Sequence, residues 1–138
     1  MPSVVRALCD ASPLIALFDL SDEAHALCTA ALRTFTGSFV TTWPVLTEAF
    51  HFIDRPRGRS LLWNFVLSDV VQVDDIVATE LGRIRILMER YADLPMDFAD
   101  ASLVILAERL RVFNIFTLDR RGFSVFRPRN AQGFEIFP

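Results

Sequence analysis

The sequence predicts an α/β fold, a three-layer α/β/α sandwich with a central parallel sheet, in a single domain that spans residues 1–138. Short apolar runs, suited to strands that are buried on both faces, alternate along the chain with stretches of helical periodicity. The clearest unit is residues 96–119, where an acidic helix start leads into a helix and then into an apolar strand. Acidic residues follow several predicted strands, and open α/β sheets bind ligands outside the carboxyl ends of their strands.

The first strand is predicted at residues 4–9, a short and mostly apolar run that Asp10 directly follows. Ser12 stands before Pro13, so we expect Ser12 to cap the first helix. Residues 21–23 are rich in polar side chains and are expected to cap a second helix.

The next strand is predicted at residues 39–42, and a helix begins at Pro44 just after it. This helix carries Glu48 little more than one turn from its start. Residues 55–59 contain proline, glycine and three arginines and are predicted to form a basic turn. A helix with apolar residues at 61–66 follows.

In the second half of the chain, a strand is predicted at residues 70–73 and an amphipathic helix at residues 77–91. The acidic residues 74–75 are expected to cap that helix. Pro95 is expected in the first turn of the next helix, because its missing N–H is not needed there. Two further strands are predicted at residues 114–118 and 134–137, and a turn-rich passage at residues 120–123 lies between them.

Composition is that of a folded globule, with 52% hydrophobic and 22% charged residues. No uncharged apolar run approaches the roughly 20 residues of a membrane span, and Arg6 and Asp10 interrupt the first apolar segment, so we expect no signal peptide. The two cysteines, Cys9 and Cys28, form no disulfide framework or metal motif. These features predict a cytoplasmic protein.

Charge gives little indication of a partner. The net charge is −3, so no global basic field indicates a nucleic-acid ligand. All 14 basic residues are arginine, which excludes any mechanism that requires a lysine. A phospho-acceptor receiver domain, which also carries acids at strand ends, is disfavoured for this reason.

Four carboxylates at strand ends or early in helices are the candidate chemical groups: Asp10, Glu48, Asp100 and Asp119. Hard divalent cations prefer oxygen ligands, and a bound cation can activate water against a phosphodiester. Each acid also has a structural alternative as a helix cap, a solvated carboxylate or a turn former. Capping alone does not require all of them to meet at one sheet edge, so a cation site is the favoured interpretation.

Four segments carry a family resemblance: LCDASPLIALFD (8–19), TEAFHFI (47–53), MDFADASLVILAERL (96–110) and IFTLDRRGF (115–123). In this order they resemble the four motif blocks of the PIN domain, and the chain is most similar to the VapC-like toxin ribonucleases of bacterial toxin–antitoxin pairs. The resemblance implies a Mg²⁺- or Mn²⁺-dependent endoribonuclease. It also implies a homodimer and a cognate antitoxin that inserts a side chain into the acidic pocket.

The resemblance assigns catalysis and metal binding to the four acids named above. Asp97 is an additional acid whose role stays open. Candidates for hydroxyl support are Ser12 and Thr117, and candidates for contacts with RNA phosphates are Arg120 and Arg121. Solvated arginines are the alternative interpretation of that pair.

One alternative to the enzyme remains open. A PIN-like scaffold without catalysis would act as a protein- or RNA-binding module, and the presence of all four acids disfavours it.

The hydrophobic excess predicts a dimer, with part of its interface on the helices around residues 61–66 and 77–91.

Overall fold

A five-stranded parallel sheet lies at the centre of the computed structural model, which describes residues 5–138. Its strands are β1 (Arg6–Cys9), β2 (Ser38–Thr42), β3 (Val71–Asp74), β4 (Asn114–Phe116) and β5 (Glu135–Phe137). The helices are α1 (Ala11–Phe18), α2 (His25–Thr34), α3 (Trp43–Phe52), α4 (Pro56–Val66), α5 (Leu81–Arg90), α6 (Phe98–Leu110) and α7 (Arg120–Phe123). A single 3₁₀ turn, Ala78–Glu80, leads into α5. The predicted three-layer α/β/α sandwich is confirmed.

The strand order is β3-β2-β1-β4-β5, and every neighbouring pair is parallel. Strand β1 lies in the middle of the sheet, which builds outward on one side through β2 and β3 and on the other side of β1 through β4 and β5. The switch in direction lies between β1 and β4, whose pairing joins Leu8 to Ile115. In doubly wound sheets a ligand crevice forms at such a switch, outside the carboxyl ends of the strands.

The core is formed by the central strand, the aromatic rings beside it and α6. Leu8 is fully buried in β1, and the rings of Phe39 and Phe116 stack with centroids 5.6 Å apart. Helix α6 has eight buried residues and packs against both α3 and α5. The acidic residues at its start, Asp97 and Asp100, are therefore held by one of the most buried helices of the fold.

Several predicted boundaries were wrong at helix starts. Ser12 does not cap α1, because the helix already begins at Ala11 and Asp10 is the cap. Residues 55–59 are not a turn, because Pro56 opens α4.

The start of α6 and the residues after β3 also differ from the sequence prediction. Pro95 lies before α6 rather than in its first turn, and Asp97 caps that helix. Asp74 ends β3, and neither it nor Asp75 caps a helix. Val4, the first residue of the strand that was predicted at residues 4–9, lies outside the described residues. Among residues 5–138, no helix is long and apolar enough to cross a membrane.

Candidate active site

The buried polar residues of the described chain are concentrated at the carboxyl edge of the sheet. They are Asp10, Thr41, Thr42, Ser102 and Thr117. All buried side-chain nitrogen and oxygen atoms within residues 5–138 have a hydrogen-bond partner. A polar interior confined to one edge, next to the switch between β1 and β4, identifies this edge as the candidate site.

Asp10 occupies the centre of the site, directly after β1, and is only 6% exposed. One carboxylate oxygen accepts the N–H of Ala11 at 2.8 Å, and the other accepts the hydroxyl of Thr117 at 2.7 Å. Burial raises the pKa of Asp10 to about 6 despite these two bonds, and the charges of Asp119 and Asp97 add to the rise. The carboxylate is therefore rigidly held and costly to ionise.

Thr117 connects two of the predicted acids. Its hydroxyl donates to Asp10, and its oxygen accepts the N–H of Asp119 at 3.0 Å. Ser12 lies beside it and accepts the N–H of Leu118 at 3.1 Å. Both predicted hydroxyl residues thus attach the segment after β4 to the start of α1, although their roles in function stay predictions.

Asp97 and Asp100 hold the start of α6 as a reciprocal capping box. Asp97 accepts the N–H of Asp100 at 2.8 Å, and Asp100 accepts the N–H of Asp97 at 3.1 Å. Burial raises the pKa of Asp100 well above its usual range, and the charges of Asp97 and Asp10 raise it further. These two acids therefore cap α6 and also interact electrostatically with the other acids of the site.

Glu48 and Asp119 complete the set from two other helices. Glu48 is half-buried on α3, and burial, followed by the charges of Asp97 and Asp10, raises its pKa to about 7. Asp119 caps α7 by accepting the N–H of Gly122 at 3.0 Å. Each of these acids therefore lies near enough to Asp10 for the two charges to interact.

No arginine offsets this charge within residues 5–138. The ion pairs there use other acids, namely Asp74, Glu80, Glu89 and Glu108. Several carboxylates are thus gathered at one edge without a protein cation, and a bound cation would relieve their repulsion.

The donor set fits a hard divalent cation that keeps much of its water. Among residues 5–138, no three His, Cys, Asp or Glu side chains form a ready-made cage for a metal ion. Mg²⁺ is usually held by one or two carboxylates, with water and phosphate oxygens filling the other positions, so a complete protein cage is not needed. That all four acids serve one ion stays a prediction.

The two arginines of α7 differ in their surroundings. The guanidinium of Arg120 donates to the backbone oxygen of Pro138. Arg121 is exposed, and its side chain makes no hydrogen bond within the described residues. Arg121 is therefore the more accessible candidate for a phosphate contact.

Three buried hydroxyl residues of this edge were not predicted from the sequence as part of the site: Thr41, Thr42 and Ser102. Thr41 donates to the carbonyl of Cys9 at 2.7 Å, and Thr42 lies 2.7 Å from Ser102, oxygen to oxygen. The available signal was a pair of threonines at the end of a strand and one serine within the apolar run of α6.

Comparison with known proteins agrees with the motifs. No protein-family model matches this sequence. The chain is 27% identical over 132 residues to Ribonuclease VapC26 of Mycobacterium tuberculosis, which covers 94% of this chain and 98% of that protein. The crystal structure of VapC20 of M. tuberculosis, described as a sarcin-ricin loop cleaving toxin, matches with a TM-score of 0.81 and 21% identity over 96% of this chain and 99% of the other. The sequence relative confirms the predicted resemblance to VapC-like proteins, and the solved structure confirms the fold.

Proposed function

We propose that this VapC-like chain is an endoribonuclease toxin of a toxin–antitoxin pair, and that it hydrolyses RNA with a divalent cation held at the carboxyl edge. The observation that carries the proposal is the group of acids around Asp10 at the switch between β1 and β4, with no arginine paired to them in the described chain. The sequence relative is named a ribonuclease, which supports the same activity.

The residues divide the work by their surroundings. Asp10, Glu48, Asp100 and Asp119 would hold Mg²⁺ or Mn²⁺, which when bound lowers the pKa of a water and offsets charge on the phosphate. Thr117 fixes the orientation of Asp10 through a 2.7 Å hydrogen bond. Glu48, whose pKa is raised to about 7 in the metal-free chain, would release its proton when the cation binds.

The substrate class follows from the charge and shape of the edge. An acidic site repels a phosphodiester until a cation offsets the carboxylates, and a positive side chain must then hold a flanking phosphate. Single-stranded or looped RNA fits best, because its backbone can bend into a pocket and its bases are free. The description of VapC20 as a loop-cleaving toxin accords with such a substrate.

Arg121→Ala should weaken RNA binding several-fold and make it less dependent on salt, because one phosphate contact is lost. Fluorescence anisotropy with a labelled RNA at several salt concentrations measures both quantities. Arg33→Ala is the matched control, since Arg33 is exposed in the last turn of α2, just before β2 begins at the opposite edge of the sheet. Equal salt slopes for wild type and Arg121→Ala would exclude Arg121 as a phosphate ligand. Arg120→Ala should act in the same direction.

We propose that the cellular regulator is a cognate antitoxin protein and that both act in the cytoplasm. The chemistry of the edge favours an inhibitor that places a basic side chain among the acids, because such a group would take the place of the cation. Protein from which EDTA has removed the cation should therefore bind this inhibitor at least as well as metal-loaded protein.

We also propose a homodimer that uses α4 and α5. Large apolar side chains are exposed there, among them Trp63, Leu81 and Ile86. Light scattering should report a dimer at micromolar concentration, and Ile86→Glu should shift it towards monomer. The control is Leu20→Glu, at a residue that is 80% exposed between α1 and α2. A wild-type monomer at this concentration would contradict the proposal.

The enzyme is distinguished from a binding scaffold by incubating the purified chain with mixed RNAs and Mg²⁺ and mapping the new ends. The proposal expects internal cuts with defined ends. RNA that is bound and left intact would instead identify the chain as a scaffold.

A further inference from the structure

A pair of buried hydroxyls joins two elements that carry acids of the site. Thr42 is the last residue of β2 and directly precedes α3, while Ser102 lies in the second turn of α6. Their side-chain oxygens are 2.7 Å apart, although the residues are 60 positions apart in sequence. Each residue is 1% exposed.

The direction of this hydrogen bond is fixed by a second one. The hydroxyl of Ser102 donates to the carbonyl of Ala99 at 2.7 Å, and a carbonyl can only accept. A hydroxyl has one proton to donate, so Thr42 must be the donor to Ser102. The bonds thus run from Thr42 through Ser102 to the backbone of the first turn of α6.

This arrangement links the two helices close to their acids. Helices are stiff, with a rise of about 1.5 Å per residue, so Glu48 lies about 9 Å along α3 from Thr42. Asp100 is only two residues, or about 3 Å of rise, from Ser102. A shift between Thr42 and Ser102 would therefore be transmitted to the separation between Glu48 and Asp100.

We propose that Thr42 and Ser102 are positioning residues for the acid site, which set the distance between α3 and α6 and thereby the distance between Glu48 and Asp100. Neither residue is placed among the cation ligands. An apolar pair would fill the same space, but it would lack the short and directional contact that fixes the spacing. The inference rests on the proposed function, because it concerns how the cation site is held.

The test is the affinity for Mn²⁺, measured by electron paramagnetic resonance or calorimetry in the absence of RNA. Thr42→Val removes the donor while Ser102 keeps its bond to Ala99, and we expect the affinity to fall by about 10- to 100-fold. Ser102→Ala should act similarly, and the double variant should be no worse than the more affected single variant. Thr42→Ser, which keeps the hydroxyl, should bind Mn²⁺ nearly as well as the wild type.

Val112→Ala is the control for a general loss of stability. It removes buried apolar atoms just before β4, at the amino edge of the sheet, and should leave the Mn²⁺ affinity unchanged. Unchanged Mn²⁺ affinity in Thr42→Val would overturn the inference. Equal weakening in Thr42→Val and Val112→Ala would also overturn it. A wild type that binds no Mn²⁺ would overturn the proposed function and this inference with it.

Discussion

Asp100→Asn should lower the rate of RNA cleavage by roughly two to three orders of magnitude, because the variant loses a charged oxygen ligand at the site where the cation is needed. The fold should remain intact, since an asparagine oxygen can still accept the N–H of Asp97 that Asp100 accepts now. Gel analysis of RNA cleavage and thermal melting of the same samples measure the two effects.

Two further variants separate the charge of Asp100 from its role in the capping box. Asp100→Ala loses both, so it should melt below Asp100→Asn while being equally inactive. Asp93→Asn, at an exposed acid before α6, should keep wild-type activity. Wild-type cleavage by Asp100→Asn would show that the charge is not required, and marked unfolding of this variant would assign Asp100 a structural role alone.

The stability of the metal-free protein should fall as the pH rises from about 4 to about 7. The pKa values of Asp10 and Glu48 are raised to about 6 and about 7 in the folded protein, above the ordinary values of 3.8 and 4.5 that apply to the unfolded chain. Between these values the folded state holds protons that the unfolded state has released, so raising the pH costs free energy of folding. With about 1.4 kcal/mol for each pKa unit, the rise at buried Asp10 alone should contribute on the order of 3 kcal/mol.

Mn²⁺ should reverse this loss, and more so at pH 8 than at pH 5, because protons compete with the cation for the same carboxylates. At 100 times the dissociation constant the gain is about 2.7 kcal/mol, several degrees in melting temperature for a chain of this size. Melting in EDTA and in Mn²⁺ at both pH values measures it, and Asp100→Asn should gain less. A metal-free protein that is more stable at pH 8 than at pH 5 would contradict the raised pKa values of Asp10 and Glu48.

The fold class was predictable because its signals are local. Alternation of apolar strands with amphipathic helices is visible within short windows of sequence, and β1 and β2 were located within one or two residues. The strand order was not predictable in this way, since it depends on pairings such as Leu8 with Ile115, which are more than 100 residues apart.

Helix starts were predicted less well because tertiary contacts choose among the available caps. Ser12 has a suitable side chain, yet it bonds to Leu118 while Asp10 caps the helix. Both Asp10 and Asp100 were identified from the motifs, together with their alternative as caps. In the folded protein each of these carboxylates caps a helix and also interacts with the other acids. The sequence alone did not show that one side chain has both roles.

The hydroxyl residues behind the acids were the least predictable part of the site. Thr117 was singled out because it lies within a motif, but its bond to Asp10 spans 107 positions. Thr42 and Ser102 carry no motif, and a threonine or serine in an apolar run is common in helices and strands. Their pairing depends on the packing of α6 against β2, which the sequence pattern does not encode locally.

RNA cleavage by the purified wild-type chain in Mg²⁺, in Mn²⁺ and in EDTA is the most direct test of the claim that these acids form a cation-dependent ribonuclease site. We expect cleavage with either cation, none after chelation, and recovery when the cation is restored in excess. Cleavage that continues undiminished in EDTA would contradict the claim.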